Sequence, residues 1–376
     1  MRNLCIFILM LLISTAFAQE STDEKLSKLL DEKQYDKVIK EYADNTEKLS
    51  AKSLYYVGFA YYMKEDDVNS LRFFDLSISK DPKDSKPYFY KGVTFNIIER
   101  YDEAIKNFKI AIELKNDDAD YYVGLGIAHY SLKNYDLAID ALKKSTEQKE
   151  PNYAAFNMIA EIYKAQENEE KALNAYYVAQ TKIPKNVQAY QNTLFNIGLL
   201  EYLKGNYEKS EKAYKEFMEL NPTDYVIYSK LIQIYYASKN YEKAQPYKKK
   251  LYEAHQKGEL NKDMKDMFCF DQFKWKSKRV MVYERFEEGS KSLYYKHIFY
   301  IINEKGNMEY SVQTEFSPIL AEQGKAKYLI GKTTENEHFT YGIPFDDNPK
   351  YEKVKQAVLD VLDGKEKPIS SSSIRR

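Results

Sequence analysis

The sequence predicts a mainly α chain of tandem repeats that runs into a small α+β domain, and three observations predict it. Small and large residues recur every 34 positions through the first two thirds of the chain, a period that belongs to repeat architectures. Beyond Gly258 that frame stops, and the apolar pattern shifts toward a period of two in short runs rich in Val, Ile, Tyr and Phe. A final stretch from about Pro349 to Asp363 returns to helical spacing. It sets Tyr351, Val354, Val358, Val361 and Leu362 on one stripe, with Gly364 to stop it.

The first eighteen residues carry Arg2, an unbroken apolar run from Leu4 to Ile13, and the small-residue site Ala16-Phe17-Ala18 before Gln19. Residues 1–18 therefore read as a secretory signal peptide, because the run is too short to span a hydrocarbon core of ~30 Å as a helix. Cys5 falls in the apolar run and not at the cleavage site, so it reads as a small hydrophobe and not as a lipid attachment point. No later stretch is long and apolar enough to cross a membrane. The expectation is a soluble mature chain from Gln19 that is exported, periplasmic or secreted.

The repeat begins with Gly58, Gly92 and Gly126, spaced by 34 residues, and Ala160 continues the series. The same frame aligns Ser70, Ala104, Ala138 and Ala172, and four residues further on Phe74, Phe108, Leu142 and Tyr176. After a four-residue slip between Ile183 and Tyr190 it resumes with Gly198, Ser210, Tyr214 and Pro222, then Ile232, Ala244 and Lys248. Asn240-Tyr241-Glu242-Lys243-Ala244 echoes Asn206-Tyr207-Glu208-Lys209-Ser210 and Asn134-Tyr135-Asp136-Leu137-Ala138.

These residues resemble the tetratricopeptide repeat (TPR). The resemblance implies a TPR-type α-solenoid of helix-turn-helix units, with a small residue where two helices cross, a large one filling the space beside it, and a proline such as Pro82, Pro184 or Pro222 ending the second helix. It covers residues 19–258 as seven units: 19–50, 51–84, 85–118, 119–152, 153–186, 191–224 and 225–258. The first unit departs from the pattern with Leu26 and Val38, the last with Ile232 and Lys248. Terminal repeats have one neighbour instead of two, so atypical residues are expected there. Ser21 followed by Glu24 supplies a capping box for the first helix.

In this family the first helix of each unit lines a concave face, so the resemblance implies a partner-binding groove. The inward positions are Tyr55, Phe59 and Tyr62, then Phe89, Val93 and Asn96, then Ile127 and Tyr130. Later units add Asn157, Glu161 and Lys164, then Asn192, Phe195 and Tyr202, and finally Gln233 and Tyr236. Rings with scattered amides suit an extended polypeptide, since amides hydrogen-bond a backbone and rings supply low-entropy apolar contact. Rings at helical spacing serve repeat-to-repeat packing equally well. Some members of the family hold a terminal carboxylate with a basic clamp; here only Lys52, Lys86 and Lys164 stand isolated at the corresponding positions, which does not predict one. The slip at 183–190 reads either as a bend between five units and two or as a slightly longer helix or turn.

Residues 259–366 read as the α+β domain. Strands are expected at Phe268 to Lys274, Val280 to Phe286, Tyr295 to Ile302, Met308 to Phe316, Lys327 to Lys332 and Phe339 to Ile343. Asn303 to Asn307 forms a hairpin turn with Gly306 at positive φ. Strands gathered before a terminal helix imply an antiparallel sheet with the helix on one face. Residues 367–376, with Ser370 to Ser373, Arg375 and Arg376, read as a disordered tail.

Composition narrows the function. Lys+Arg and Asp+Glu both number 57 in 376 residues, so no global field draws nucleic acid or an anionic membrane. Beyond the leader only Cys269 remains, which excludes an intramolecular disulfide framework and a Cys-based zinc site. Flanked by Phe268 and Phe270, it reads as a buried hydrophobe. His297 and His338 lie near Glu315, Glu335 and Glu337, but at spacings that match no metal motif or triad; His129 falls at a helix-packing phase. No cofactor motif or acid/base constellation stands out. The sequence therefore predicts an exported, non-catalytic scaffold or adaptor of the cell envelope that binds a partner protein. A glycan or small-molecule binding module using Trp275 and the tyrosines, or an enzyme in the C-terminal domain, are the alternatives.

Overall fold

The computed structural model describes residues 22–264, 266–286, 294–316, 328–334, 337–343 and 350–368. The leader 1–18, Ser21 of the capping box, Glu335, residues 369–376 of the tail and the side chains of Glu315 and His338 lie outside the described residues. The backbone divides at Thr193 and Leu194 into two compact units.

The first unit is built from helix pairs: α1 (22–31) with α2 (Tyr35–Tyr42), α3 (Ala51–Met63) with α4 (Asp67–Lys80), and α5 (Ser85–Ile97) with α6 (Tyr101–Leu114). α7 (Ala119–Ser131) with α8 (Tyr135–Thr146) and α9 (Ala154–Ala165) with α10 (Glu169–Lys182) follow. α11 (Gln188–Leu203) crosses the division and has 16 residues, against 13 in α3, α5 and α7. The extra residues of the slip therefore lengthen this helix and the turn before it.

Each pair turns in the same way. The second residue past the first helix takes a left-handed backbone at Lys33, Glu65, Glu99, Lys133, Glu167, Gly205 and Lys239, with φ between 56° and 78°. The next residue's N–H then reaches back five positions, as from Arg100 to the Phe95 carbonyl (2.8 Å) or Asn240 to Tyr235 (2.7 Å), which closes the last helical turn. The repeated Asn-Tyr phrases mark where the chain leaves this turn and starts the second helix.

The small and large phases meet as the period implies. A Cβ on Gly58 would lie 2.8 Å from the Phe74 ring, and one on Gly126 would lie 2.8 Å from Leu142. Phe108 serves two repeats, since a Cβ on Gly92 of α5 or Gly124 of α7 would stand 2.8 Å or 2.4 Å from its ring. Ala160 and Tyr176 occupy the same two phases and are fully buried. Only a bare or nearly bare backbone admits rings at this separation, so the period of the sequence is a period of close crossings.

The second unit holds α12 (Tyr207–Leu220), α13 (Tyr225–Ala237) and α14 (Tyr241–Gln256), followed by six strands. These are β1 (Met267–Trp275), β2 (Lys278–Arg285), β3 (Tyr294–Ile302), β4 (Met308–Phe316), β5 (Tyr328–Thr333) and β6 (His338–Ile343). They form one antiparallel meander in sequence order. Between β3 and β4, Gly306 has φ 85°, and the Asn303 side chain accepts from the N–H groups of Lys305 and Asn307 (both 3.0 Å). One face is apolar in register: Val280 lies opposite Ile301, and Val282 lies opposite Phe299, which faces Val312 on the other side. The terminal helix α15 (Tyr351–Leu362) buries Val354, Ala357, Val358, Val361 and Leu362, each larger side chain contributing about 1.5–3 kcal/mol. Lys355 of α15 lies 2.8 Å from the buried carboxylate of Asp271 in β1, and Tyr351 donates to the same group.

Candidate partner-binding face

In the first unit the inward phases of α3 and α5 form one aromatic cluster. Tyr55, Phe59 and Tyr62, one turn apart on α3, all meet the ring of Tyr90 on α5, at centroid distances of 5.7, 5.1 and 5.6 Å. Tyr55 is buried, whereas Phe59 and Tyr62 are half-buried. Burial raises the phenol pKa of Tyr62 above its ordinary value, with the charge of Asp67 adding to it. Phe89 meets Tyr90 edge-on at 5.1 Å, and also stacks on Tyr121 at 4.9 Å and meets Phe108 at 5.8 Å. Tyr90 stands one residue past the inward phase, so the repeat frame alone passed over it.

Asn96 is held by a bond from its Nδ2 to the Gly124 carbonyl (3.3 Å). Because that contact requires a donor, the carbonyl end of the amide faces away. Its Oδ1 is buried and has no hydrogen-bond partner among the described residues. On α7, Ile127 is 37% exposed and Tyr130 is 42% exposed, large apolar side chains one turn apart. Tyr130 meets Tyr135 at 5.9 Å.

The polar residues of the fifth unit already have partners within the repeats, although Glu161 stays exposed. Asn157 donates to the Ala189 carbonyl (2.8 Å) and accepts from Thr193 (2.7 Å). Glu161 pairs with Lys164 (2.8 Å) and accepts from the Tyr176 hydroxyl. Asn192 is exposed.

In the second unit the inward phases meet the sheet. Phe195 packs on Tyr214 (5.9 Å) and Phe217 (6.4 Å). Tyr202 makes a long bond from its hydroxyl to the Gln272 carbonyl (3.5 Å). Gln233 is buried and donates to the Cys269 carbonyl (3.1 Å), which also accepts from Ser229. Tyr236 sets its ring edge-on to Phe270 at 4.8 Å and to Tyr351 at 5.3 Å. These contacts fall on β1, the edge strand, around a bulge between Cys269 and Asp271. Helix α13 and its side-chain donors thereby cover an edge that would otherwise template further strand pairing. Cys269 itself is buried, and burial pushes its thiol pKa up to about 12.

The last repeat departs from the family pattern at the positions that hold the sheet. Ile232 fills the glycine phase and is fully buried. Lys248 stands at the ring phase and extends its Nζ to Glu284 on β2 (2.6 Å), with Tyr252 donating to the same carboxylate (2.8 Å). The lysine also lies over the rings of Phe270 (5.7 Å) and Tyr236 (5.8 Å), which favour a cation. His297 Nε2 is 3.8 Å from Glu284. Burial alone would raise the Glu284 pKa, but the hydrogen bond from His297 and the charge of Lys248 hold it down at about 2. His129 is buried on α7, and burial lowers its pKa, with Lys109 adding to the effect. Among the described residues no three His, Cys, Asp or Glu side chains group as metal ligands, and no helix is long and apolar enough to cross a membrane.

Two family models match within the helical part, one described as TPR repeat over residues 92–133 and one as tetratricopeptide repeat over residues 119–152 and 192–224. No curated protein matches the chain. Among solved structures, MamA is similar at 23% identity over 44% of this chain and 95% of its own, with a TM-score of 0.38. PilF of Pseudomonas aeruginosa is similar at 13% identity over 55% of this chain and 92% of its own, with a TM-score of 0.44. YrrB, described as a TPR protein with an unusual peptide-binding site, shares 19% identity over 51% of this chain and 94% of its own, with a TM-score of 0.36. The chain carries tetratricopeptide repeats at residues 92–152 and 192–224, within a mainly helical TPR-like solenoid followed by a six-stranded antiparallel sheet and a terminal helix.

Proposed function

We propose that this chain is an exported, non-catalytic scaffold of the cell envelope that holds a polypeptide segment of a partner protein on the inward face of its repeats. The observation that carries the reading is the side-by-side exposure of Ile127 and Tyr130 on a repeat helix whose other apolar side chains are packed. Large apolar groups one turn apart are costly to leave in water and suit a protein contact. Export rests on the leader pattern of residues 1–18. The sheet domain, anchored by β1 to the last repeat, is proposed to present a second surface to another component.

The test is capture of a partner by the full mature chain and by a Tyr62→Ala, Asn96→Ala double variant whose helical circular dichroism matches the parent. Weaker capture by the folded variant is the expected result; undiminished capture would overturn the assignment of this face.

A further inference from the structure

The sheet has a second face, opposite the one that carries Val280 and Val282. Its middle row crosses five strands as Gln272, Met281, Tyr300, Ser311 and Thr333, each paired with the next in register and each half-buried. At ~4.8 Å per strand the row extends about 19 Å. Tyr283, two residues beyond Met281 on β2, sets its ring edge-on to Tyr300 at 5.4 Å. Trp275 belongs to the other face, where its Nε1 donates to Asp363 just past α15 (3.0 Å).

The neighbouring row is cationic. Lys274 lies directly opposite Arg279, both exposed, and like charges so placed repel. Lys230 of α13 joins them from the repeat side: it follows Ser229, which donates to the Cys269 carbonyl, and it is half-buried. Burial lowers the Lys230 pKa, the Cys269 thiol opposes that, and the charge of Arg279 adds to it. Among the described residues no carboxylate pairs with any of the three cations, and neither row contains Asp or Glu. Cations gathered without counter-charge are complementary to an anion, and Lys and Arg both bind carboxylates directly. The ring pair, with amide and hydroxyl side chains beside it, suits a ligand that has apolar C–H faces and many hydroxyl groups. The length of the row suits a chain of such groups better than a single small anion.

We infer that this face binds an acidic polysaccharide, its sugar rings lying along the middle row against Tyr300 and Tyr283 and its carboxylates on Lys230, Lys274 and Arg279. This names the second component proposed for the sheet domain and rests on that reading; the partner segment on the repeats is independent of it.

The experiment is isothermal titration calorimetry of the full mature chain with tetramers of galacturonate and of mannuronate, in parallel with uncharged cellotetraose and with inorganic phosphate. Saturable binding of a uronate tetramer at about 10–100 µM is expected, weakened about tenfold by Arg279→Gln and by Tyr300→Ala. Lys353→Gln, exposed on α15, should leave it unchanged. Arg279→Gln alters an exposed side chain, so it keeps the test decisive if Tyr300→Ala fails to fold. Absence of saturation by both uronates at about 1 mM, equal binding of cellotetraose or of phosphate, or full affinity in Arg279→Gln would overturn the inference. If a protein partner is still captured in a Tyr62- and Asn96-dependent way while neither uronate binds, the inference fails and the scaffold reading stands. Loss of both removes both.

Discussion

Lys248 Nζ lies 2.6 Å from a carboxylate oxygen of Glu284, joining the last repeat helix to the second strand of the sheet. Both side chains are nearly buried, at 15% and 4% exposure. Removing Lys248 takes the lysine cation from the buried Glu284 and leaves it only Tyr252 and His297, so Lys248→Met should destabilise the second unit by up to about 3–5 kcal/mol. Trp275, the single tryptophan, sits in β1 and reports on this unit through urea denaturation followed by fluorescence. Adding Glu284→Leu to Lys248→Met should recover part of the loss. A midpoint unchanged by Lys248→Met would contradict the role assigned to the pair.

The same carboxylate makes the second unit sensitive to acid. Glu284 is held at about 2 in the folded chain against an ordinary 4.5. A depressed carboxylate pKa contributes its full stabilisation above the unfolded value and loses it as the pH falls toward the folded one. Stability on the order of 3 kcal/mol should therefore disappear between pH 4.5 and pH 2. Urea midpoints of Trp275 fluorescence at pH 7, 5 and 3 should fall less steeply with acid in Glu284→Gln than in the parent. Identical slopes would show that this group does not carry the acid sensitivity.

The glycine crossings predict overpacking. A Cβ on Gly198 would lie 2.5 Å from the ring of Tyr214, which is itself buried. Gly198→Ala should cost about 1–3 kcal/mol, and Tyr214→Leu in the same chain should return part of it by freeing space. Thermal denaturation by circular dichroism checks both, and an unchanged melting temperature for Gly198→Ala would count against the close crossing.

The turn within each repeat predicts a gain. Glu99 holds φ 61° and exposes its side chain, while the sixth repeat uses Gly205 at φ 78°. A left-handed backbone costs a side-chain-bearing residue about 1–2 kcal/mol that glycine avoids, offset in part by glycine's greater freedom when unfolded. Glu99→Gly should raise the stability of the first unit by roughly 0.5–1 kcal/mol, and Gly205→Lys should lower it in the second. A lower melting temperature for Glu99→Gly would refute this reading of the turn.

The repeat architecture was legible because close helix crossings force small residues at fixed intervals, and Gly58, Gly92 and Gly126 record those crossings directly. The strands were legible because β-branched and aromatic runs alternate around turns such as Asn303 to Asn307. The docking of β1 on α13 was less so, since it joins residues remote in sequence and involves main-chain atoms that carry no residue signature. A signal was nevertheless present. From Ile227 to Tyr235 almost every residue of α13 is buried, and a helix that is apolar all round needs cover on more than one side. The departures at Ile232 and Lys248 pointed to the same place, and the Lys248 charge called for a carboxylate outside the repeat. For the candidate face, spacing alone could not separate Tyr55, which packs, from Tyr130, which stays open to water.

The measurement that bears most directly on partner binding is site-specific photocrosslinking of the full chain in its native cell. A photoreactive phenylalanine analogue would replace Ile127 on the inward face and, in parallel, the exposed Val178 of α10. One recurring polypeptide segment joined at Ile127 and absent at Val178 is the predicted result. The same products from both positions, or none from Ile127, would contradict a partner-binding role for the inward face.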